Sequence, residues 1–366
     1  MRTFGCQLIC AAAFVLCGVV GCSKTAEPEQ SVRDSYVYEP IRMAAAYLTL
    51  MEKPDAVRAL LIGEEARKLT NVFEHVGVKA VTAKTGGRYD VVLVACDEMS
   101  PESYARAADL LTENGVIAWM MDVRDVTFGQ FRCRLESFQS EQVHLWMPGD
   151  GHWLLVGRPN PRQVKLDSML EVFTREGAFD DFASACSATV PEMFASYTGT
   201  REDVMPVFQL NDATAEVRPE CFVTKDIPPL DWVSDVGLDS DIAQQVRAEI
   251  RSMQVVRRLV LEGKILSQDA KDKKSEEPAV EKWNAAALRN PRDLMLLERL
   301  DRLDRNARGF LSLGKILQAM KCYETMILIR PTAASVHNFG KCLEKVGKRE
   351  LAEQAFKRAR ELQGQQ

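Results

Sequence analysis

The sequence predicts an α/β domain with a largely parallel sheet, followed by an all-helical domain. Two observations carry this prediction. Residues 91–95 (VVLVA) form an unbroken apolar run of strand length, which is typical of a strand buried on both faces of a parallel sheet. After residue 239, apolar residues recur at helical spacing, and part of that pattern returns 33 residues later.

A helix signal follows the first buried strand directly. Ser100 suits the N-cap position and Pro101 the first helical position. Apolar residues recur at helical spacing as far as Leu111, and Asn114-Gly115 is expected to end the helix. Residues 116–120 then predict the next parallel strand, so the segment reads as a right-handed β-α-β unit.

The first residues predict a leader rather than part of the fold. Arg2 precedes an apolar stretch at 4–21, and the sequence VVGC ending at Cys22 is similar to the lipobox of bacterial lipoproteins. We therefore expect a signal peptide at 1–21, lipid on Cys22 and a polar tether at 22–39. The alternative is an uncleaved anchor, because 18 apolar residues are marginally enough to span a bilayer.

The leader predicts a location in the cell envelope. The lipid would hold the protein to a membrane facing the periplasm, and Ser23 after the lipidated Cys favours the outer membrane by analogy with other lipoproteins.

Charge is divided unevenly along the chain. There are 25 Lys+Arg and 17 Asp+Glu from residue 241 onward, and 22 Lys+Arg and 35 Asp+Glu before it. An exported protein meets little nucleic acid, so we expect the basic helical part to be a solvated surface and predict no nucleic-acid partner.

Six cysteines remain beyond the leader and Cys22. They are Cys96, Cys133, Cys186, Cys221, Cys322 and Cys342. They show no CxxC or Cys/His spacing, so the sequence predicts no metal site. We expect small buried side chains, with disulfides as the alternative.

Three features together suggest a family for the first domain. They are the order Tyr89-Asp90-Val91, a polar strand end at Asp97-Glu98, and a helix carrying Tyr104 before Gly115-Val116. This order resembles the spermidine synthase (polyamine aminopropyltransferase) branch of the S-adenosylmethionine methyltransferase-like fold. A strand pair at 143–146 and 151–157, ending in an aromatic residue followed by LLVG, is similar to the end of that domain.

The resemblance continues beyond the sheet. Residues 161–238 look like an extension of bacterial spermidine synthase-like proteins: Phe182 and Glu192–Ala195 fall on helices, and Leu210-Asn211-Asp212 precedes a Pro-acidic pair at Pro219-Glu220. The resemblance thus implies a shortened Rossmann-like domain at 40–160 and a family-like extension at 161–238. The alternative is an irregular cap over the edge of the sheet.

The residues that the family uses for chemistry are missing or altered. The resemblance implies a glycine-rich nucleotide loop after the strand at 57–63, but only Gly63 remains before Glu64-Glu65. The second strand, at 78–83, lacks the acidic end that would bind ribose, and the short span before Asp90 leaves no room for a further helix and strand. The first Asp of the family's catalytic motif falls on Ala95, so only Asp97 and Glu98 could act as a base.

The C-terminal part shows a repeat. Gly314, Ala319, Tyr323 and Met326 are echoed by Gly347, Ala352, Phe356 and Ala359. Small residues where helices cross, with an aromatic one turn later, resemble the tetratricopeptide (TPR) pattern. We expect three TPR-like helix pairs over 239–366, with a polar loop at 267–278.

TPR stacks usually bind a peptide or protein in a concave groove. In the expected register the residues facing it are Asp301, Asp304, Arg308, His337, Lys341 and Glu344. The alternative is that the repeats are structural only.

The sequence therefore predicts a non-catalytic, lipid-anchored scaffold with an unidentified protein or peptide partner and no cofactor. The alternative is an active transferase that uses decarboxylated S-adenosylmethionine or a related nucleoside, with Asp97 and Glu98 as catalytic residues and Gly63 at the cosubstrate. The third possibility is an exported globular protein whose helical repeats have only a structural role.

Overall fold

The computed structural model describes residues 38–364 except 84, 97, 150, 176–177, 179–189, 223–229 and 270–272. The predicted signal peptide, Cys22 and all but the end of the predicted tether lie outside these residues. The chain forms two compact units: one runs to Ile265 and includes Asp293–Met295, and the other contains Leu266–Arg292 and the residues from Leu296 onward. No helix in the described part of the chain is long and apolar enough to cross a membrane.

The first unit contains a seven-stranded mixed sheet. Its strands are β1 (Arg58–Ile62), β2 (Lys79–Val81), β3 (Tyr89–Ala95), β4 (Leu111–Asp122), β5 (Gln142–Gly149), β6 (His152–Arg158) and β8 (Tyr197–Thr200), and β7 (Val164–Lys165) pairs separately with β9 (Val233–Ser234). The order in the sheet is β2-β1-β3-β4-β6-β5-β8. The first four strands are parallel, whereas β6, β5 and β8 each run antiparallel to the preceding neighbour.

Helices cover the sheet, as the buried strands require. They are α1 (Tyr38–Glu52), α2 (Glu64–Arg67), α3 (Thr70–His75), α4 (Pro101–Ala108), α5 (Phe128–Ser137), α6 (Leu166–Val172), α7 (Val190–Phe194) and α8 (Arg201–Leu210), followed by a 3-10 turn at Pro219–Phe222. Strand β3 is buried over Val91–Val94, and Trp119, Trp146 and Trp153 are fully buried. The prediction of an α/β sheet unit is confirmed. The sheet is mixed rather than mostly parallel, because three of its six strand pairings are parallel and three are antiparallel.

The helix between β3 and β4 is shorter than the sequence suggested. Its start is confirmed, because the Ser100 Oγ accepts from the Ser103 amide at 3.2 Å. The prediction that the helix continues to Asn114-Gly115 is wrong, since α4 ends at Ala108 and Leu111 already pairs with Tyr89 in the sheet. Leu111 is buried in either arrangement, so its apolar character could not distinguish helix from strand.

The helical segment after Gly63 is divided into two short helices. Glu64 and Glu65 lie in the first turn of α2, which ends at Arg67, and α3 starts only at Thr70. Carboxylates in the first turn favour the helix dipole.

The predicted extension takes part in the sheet rather than only covering it. Strand β8 is its contribution, and it forms the edge beside β5. Glu192–Phe194 lie on α7 and Leu210 ends α8, whereas Phe182 lies outside the described residues.

The remaining helices follow Ser240. They are α9 (Ser240–Asp269), α10 (Lys273–Arg289), α11 (Leu294–Ser312), α12 (Ile316–Ile329), α13 (Ala333–Lys345) and α14 (Arg349–Gly364). The prediction of a loop at 267–278 is wrong wherever the chain is described, because α9 extends to Asp269 and α10 begins at Lys273 and contains Pro278. Five of the twelve residues at 267–278 are Lys or Glu, which favour helices even where no face is apolar.

The second unit repeats one turn geometry at an interval of 33 residues. Gly314 and Gly347 both have positive φ, at 69° and 81°. After each glycine the next amide donates back five residues, from Lys315 to Phe310 O at 2.8 Å and from Lys348 to Leu343 O at 2.9 Å. This is the Schellman ending of a helix, and it lets the next helix start at once. The predicted all-helical region is confirmed, with two helix pairs joined by equivalent turns.

Small residues allow these helices to approach closely. A Cβ added to Gly340 on α13 would lie 2.7 Å from a ring carbon of Phe356 on α14. Ala307, Ala319, Tyr323 and Cys342 form a buried cluster joining α11, α12 and α13.

We expect Gly340→Ala to destabilise the protein by about 1–3 kcal/mol, because the new methyl group overpacks the Phe356 contact. Gly309→Ala on α11 is the matched control, since its Cβ would meet no atom within 4 Å. That change should stabilise the helix by about 1 kcal/mol through helix propensity alone. Urea unfolding of the two variants measures the difference, and equal stabilities would contradict the close crossing.

Candidate functional site

The predicted site lies at the edge of the sheet where the parallel strands end, here called the carboxyl edge. Gly63 directly follows β1 and has a φ of +96°, and a Cβ at this position would lie 2.0 Å from the carbonyl oxygen of Ala95, the last residue of β3. The structure therefore brings Gly63 against Ala95. Close approach of these two strand ends is a sufficient physical reason for glycine.

The segment after β3 is tied to its neighbours. The Trp119 indole on β4 donates to the Cys96 carbonyl at 2.9 Å, and the Cys96 Sγ donates to the Glu98 carbonyl at 3.0 Å. Glu98 is exposed, and Asp97 lies outside the described residues.

Two other carboxylates at this edge are held by cations. Glu65 accepts from Arg42 at 2.5 Å and from Lys68 at 2.8 Å, and Asp122 accepts from the Arg124 amide at 3.0 Å and its Nε at 2.9 Å. Partial burial would raise the pKa of both carboxyls, but these bonds and charges outweigh it, and both pKa values lie below the ordinary range. A carboxylate held in this way is a weak proton acceptor at neutral pH.

The Tyr89-Asp90-Val91 motif lies at the opposite edge of the sheet, where the parallel strands begin. The Asp90 Oδ2 accepts the amides of Val57 and Arg58, each at 3.0 Å, and its Oδ1 accepts the Thr112 hydroxyl at 3.0 Å. The Arg58 guanidinium lies 5.0 Å from the centre of the Tyr89 ring. Asp90 thus joins the starts of β1, β3 and β4, which is a structural role.

A buried polar cluster lies elsewhere in the same unit. Glu52, the last residue of α1, is fully buried. Its Oε1 lies 2.7 Å from His144 Nδ1 and accepts the Trp146 indole at 3.0 Å, and its Oε2 is bonded to Arg158. The same Arg158 nitrogen donates to the Glu52 carbonyl at 2.7 Å.

Aromatic rings enclose this cluster. Trp232 lies 4.2 Å from His144 between ring centres, and the Arg158 guanidinium lies 5.6 Å from the Trp232 ring centre. Burial raises the pKa of the Tyr197 hydroxyl, which keeps that group neutral. For Glu52, burial would raise the pKa, but His144 and Arg158 outweigh it and lower the pKa. The cluster therefore contains an ionised carboxylate balanced by a guanidinium.

Sequence reasoning missed this cluster because its members are remote along the chain. Glu52 is separated from His144 by 92 residues and from Arg158 by 106. The available signal was the presence of His144, His152 and Arg158 in the largely apolar strands at 142–158, since an Arg is seldom fully buried unless it is paired.

The six predicted groove residues lie on two helices of the second unit. Asp301, Asp304 and Arg308 lie on α11, and His337, Lys341 and Glu344 lie on α13. On α11 the charges are engaged within the helix, because Arg305 contacts Asp301 at 3.1 Å and Arg308 contacts Asp304.

The predicted groove residues of α13 are exposed. These are His337, Lys341 and Glu344. The His337 ring also lies 5.1 Å from the Phe356 ring, which fixes its side of the helix. Burial, with the Asp304 charge, raises the pKa of nearby Tyr323 to about 12.

The described cysteines are free thiols, and their burial differs from the expectation. Cys342 is buried, Cys221 and Cys322 are half-buried, but Cys96 and Cys133 are exposed. The expectation of uniformly buried side chains is therefore wrong for these two, and Cys186 lies outside the described residues. In the described part of the chain, no group of three or more His, Cys, Asp or Glu side chains is placed to hold a metal ion.

Comparisons with known proteins add no relative. No family model matches the sequence, and no curated protein is significantly similar to it.

Replacing Glu52 by Gln should lower the free energy of unfolding by about 3–5 kcal/mol, because Arg158 is left buried without a counter-charge. Glu65→Gln is the matched control, since that ion pair is partly solvated and should cost at most about 1 kcal/mol. Urea unfolding at neutral pH measures both. Equal losses for the two variants would contradict the central role of the Glu52 pair.

The difference in stability between wild type and Glu52→Gln should also depend on pH. The folded pKa of Glu52 is lowered, so its stabilisation is present above its ordinary pKa of about 4.5 and is lost as the pH falls through the folded value. The stability difference between wild type and Glu52→Gln should therefore shrink below about pH 4.5. A difference that stays constant between neutral and strongly acidic pH would show that the Glu52 charge contributes nothing.

Proposed function

We propose that this protein is an exported, lipid-anchored scaffold without catalytic activity. In this proposal the sheet unit is a degenerate spermidine synthase-like domain, and the helical unit is a TPR-like module that binds a protein or peptide. Lipid on Cys22 would hold the protein in the cell envelope, facing the periplasm and most consistent with the outer membrane.

The proposal that the protein has no catalytic activity rests on two carboxylates at the carboxyl edge, which are already paired with cations. A transferase of the resembled family needs a carboxylate that accepts a proton from the attacking amine. Glu65 and Asp122 are instead paired with cations and have lowered pKa values. Ala95 stands where the resemblance expects the first catalytic Asp, and Gly63 has a packing role.

The partner-binding part of the proposal is supported by the exposed face of α13. Lys341 and Glu344 are exposed, and the repeated turns place α11 and α13 at equivalent positions. Helical repeats present such faces side by side as extended binding surfaces.

The transferase alternative is tested by calorimetric titration of residues 25–366 with methylthioadenosine and with decarboxylated S-adenosylmethionine. We expect no binding heat from either ligand. Binding tighter than ~100 μM, roughly −5.5 kcal/mol, would instead support a retained cosubstrate pocket and an active enzyme. Asp97→Asn and Glu98→Gln would then separate their two contributions to turnover.

The partner surface is tested by placing a photo-crosslinking amino acid at Arg308 or Lys341 in cells that produce the full chain. Both positions should yield a discrete adduct, because they lie on the face proposed to bind. Lys321 on α12 is the control position, since it is also exposed but lies on the other helix of its pair. Equal adducts at Lys321, or none at Lys341, would contradict a groove between α11 and α13.

A further inference from the structure

The helical unit contains two equivalent turns. Short connections favour antiparallel packing of consecutive helices, so we expect both turns to lie on one edge of the unit. We define this turn edge as residues 313–317, from the end of α11 into the first turn of α12, and residues 345–351, from the last residue of α13 into the first turn of α14. The glycines that shape the turns, Gly314 and Gly347, share the positive φ and the same backbone hydrogen bonds. Successive helix pairs pack about 8–10 Å apart, so side chains from both turns can meet one surface together.

Apolar side chains of this edge are exposed to solvent. Leu313 is 68% exposed, Leu317 is 64% exposed and Leu351 is 48% exposed. Leu313 and Leu317 are separated by four residues, and Leu351 follows the corresponding turn of the next helix pair. Scattered exposed leucines are ordinary, but three of them at equivalent turns form a shared feature.

Cations lie between these leucines. They are Lys315, Lys345, Lys348 and Arg349, all exposed, and Glu350 is the one acidic residue within the two segments. None of the four cations forms an ion pair with another described residue. The two segments thus carry a net charge of +3, whereas the whole chain carries −5.

We propose that the turn edge docks on an anionic phospholipid surface. Exposed leucines beside Lys and Arg are the chemistry of a peripheral membrane contact, in which the apolar side chains enter the headgroup boundary and the cations meet lipid phosphates. Charge complementarity favours an anionic membrane over a second copy of the chain, because two positively charged turn edges would repel each other. The inference does not require lipid on Cys22.

The test is vesicle flotation with residues 25–366, which contain every described element and lack the predicted lipidation site. Vesicles of equal parts phosphatidylglycerol and phosphatidylcholine should carry the protein upward, and pure phosphatidylcholine vesicles should not. Binding should fall about tenfold with Lys348→Glu/Arg349→Glu, and by a comparable factor with Leu313→Ser/Leu317→Ser. It should also weaken strongly at high salt, which screens the charges.

Matched variants distinguish docking from general effects. Leu288→Ser changes a leucine that is 79% exposed at the end of α10, and Lys357→Glu reverses an exposed charge on α14 away from the turns. Both should bind as wild type, and Lys348→Arg/Arg349→Lys should retain binding. Circular dichroism shows whether each variant is folded.

Several outcomes would overturn the proposal. These are no flotation with anionic vesicles, equal flotation with neutral vesicles, and equal losses in the control variants. A dimer in light scattering that disappears with Leu317→Ser would assign the edge to self-association instead. Crosslinking at Lys341 is unaffected by any of these results, so failure here is distinguishable from failure of the proposed partner groove.

Discussion

The buried contact between Glu52 and Arg158 is the constraint on which the sheet unit depends. One arginine nitrogen bonds both the side chain and the main-chain carbonyl of the residue that ends α1, and the carboxylate also meets His144 and Trp146 on β5. The Glu52–Arg158 ion pair, together with the bonds of Glu52 to β5, thereby connects the end of α1 to both β5 and β6. Such a network stabilises only when it is complete, because each buried ion costs several kcal/mol to desolvate.

The chain after α1 extends this anchoring. Lys53 pairs with Asp55 at 2.5 Å, and Arg175 donates to the carbonyls of Pro54 and Val76. The cation that binds the carbonyl end of α1 is Arg158, which donates to the Glu52 carbonyl where the helix dipole favours positive charge. Polar chemistry in this unit is concentrated where elements are joined, and the carboxylates Glu65, Asp90 and Asp122 serve the same purpose.

The resembled family would use the carboxyl edge for catalysis, whereas the bonds seen there hold the fold together. Gly63 faces Ala95, Trp119 reaches the Cys96 carbonyl and Asp122 binds Arg124. A sheet that keeps its architecture while its polar groups are engaged internally is suited to positioning other parts of a protein. We propose a scaffold because these polar groups bind one another and the backbone within the sheet unit.

Some parts of the structure could be predicted because local patterns decide them. The runs at 59–62 and 91–95 are apolar on both faces, so a central parallel strand was the consistent interpretation. The repeat that relates Gly314 to Gly347 likewise indicated equivalent turns between helices. Leu111 and the segment at 267–278 were misassigned because burial and polarity alone do not distinguish helix from strand or helix from loop. The Glu52 cluster could not be predicted, since its partners meet only after the whole sheet has formed.

The equivalent turns at Gly314 and Gly347 also bear on how the protein could change its length. Because each turn closes one helix and opens the next with its own backbone bonds, a segment of 33 residues is a self-contained module whose two ends match. Duplication or loss of such a module would preserve the turns on both sides of it and would lengthen or shorten the stack of helices by whole pairs.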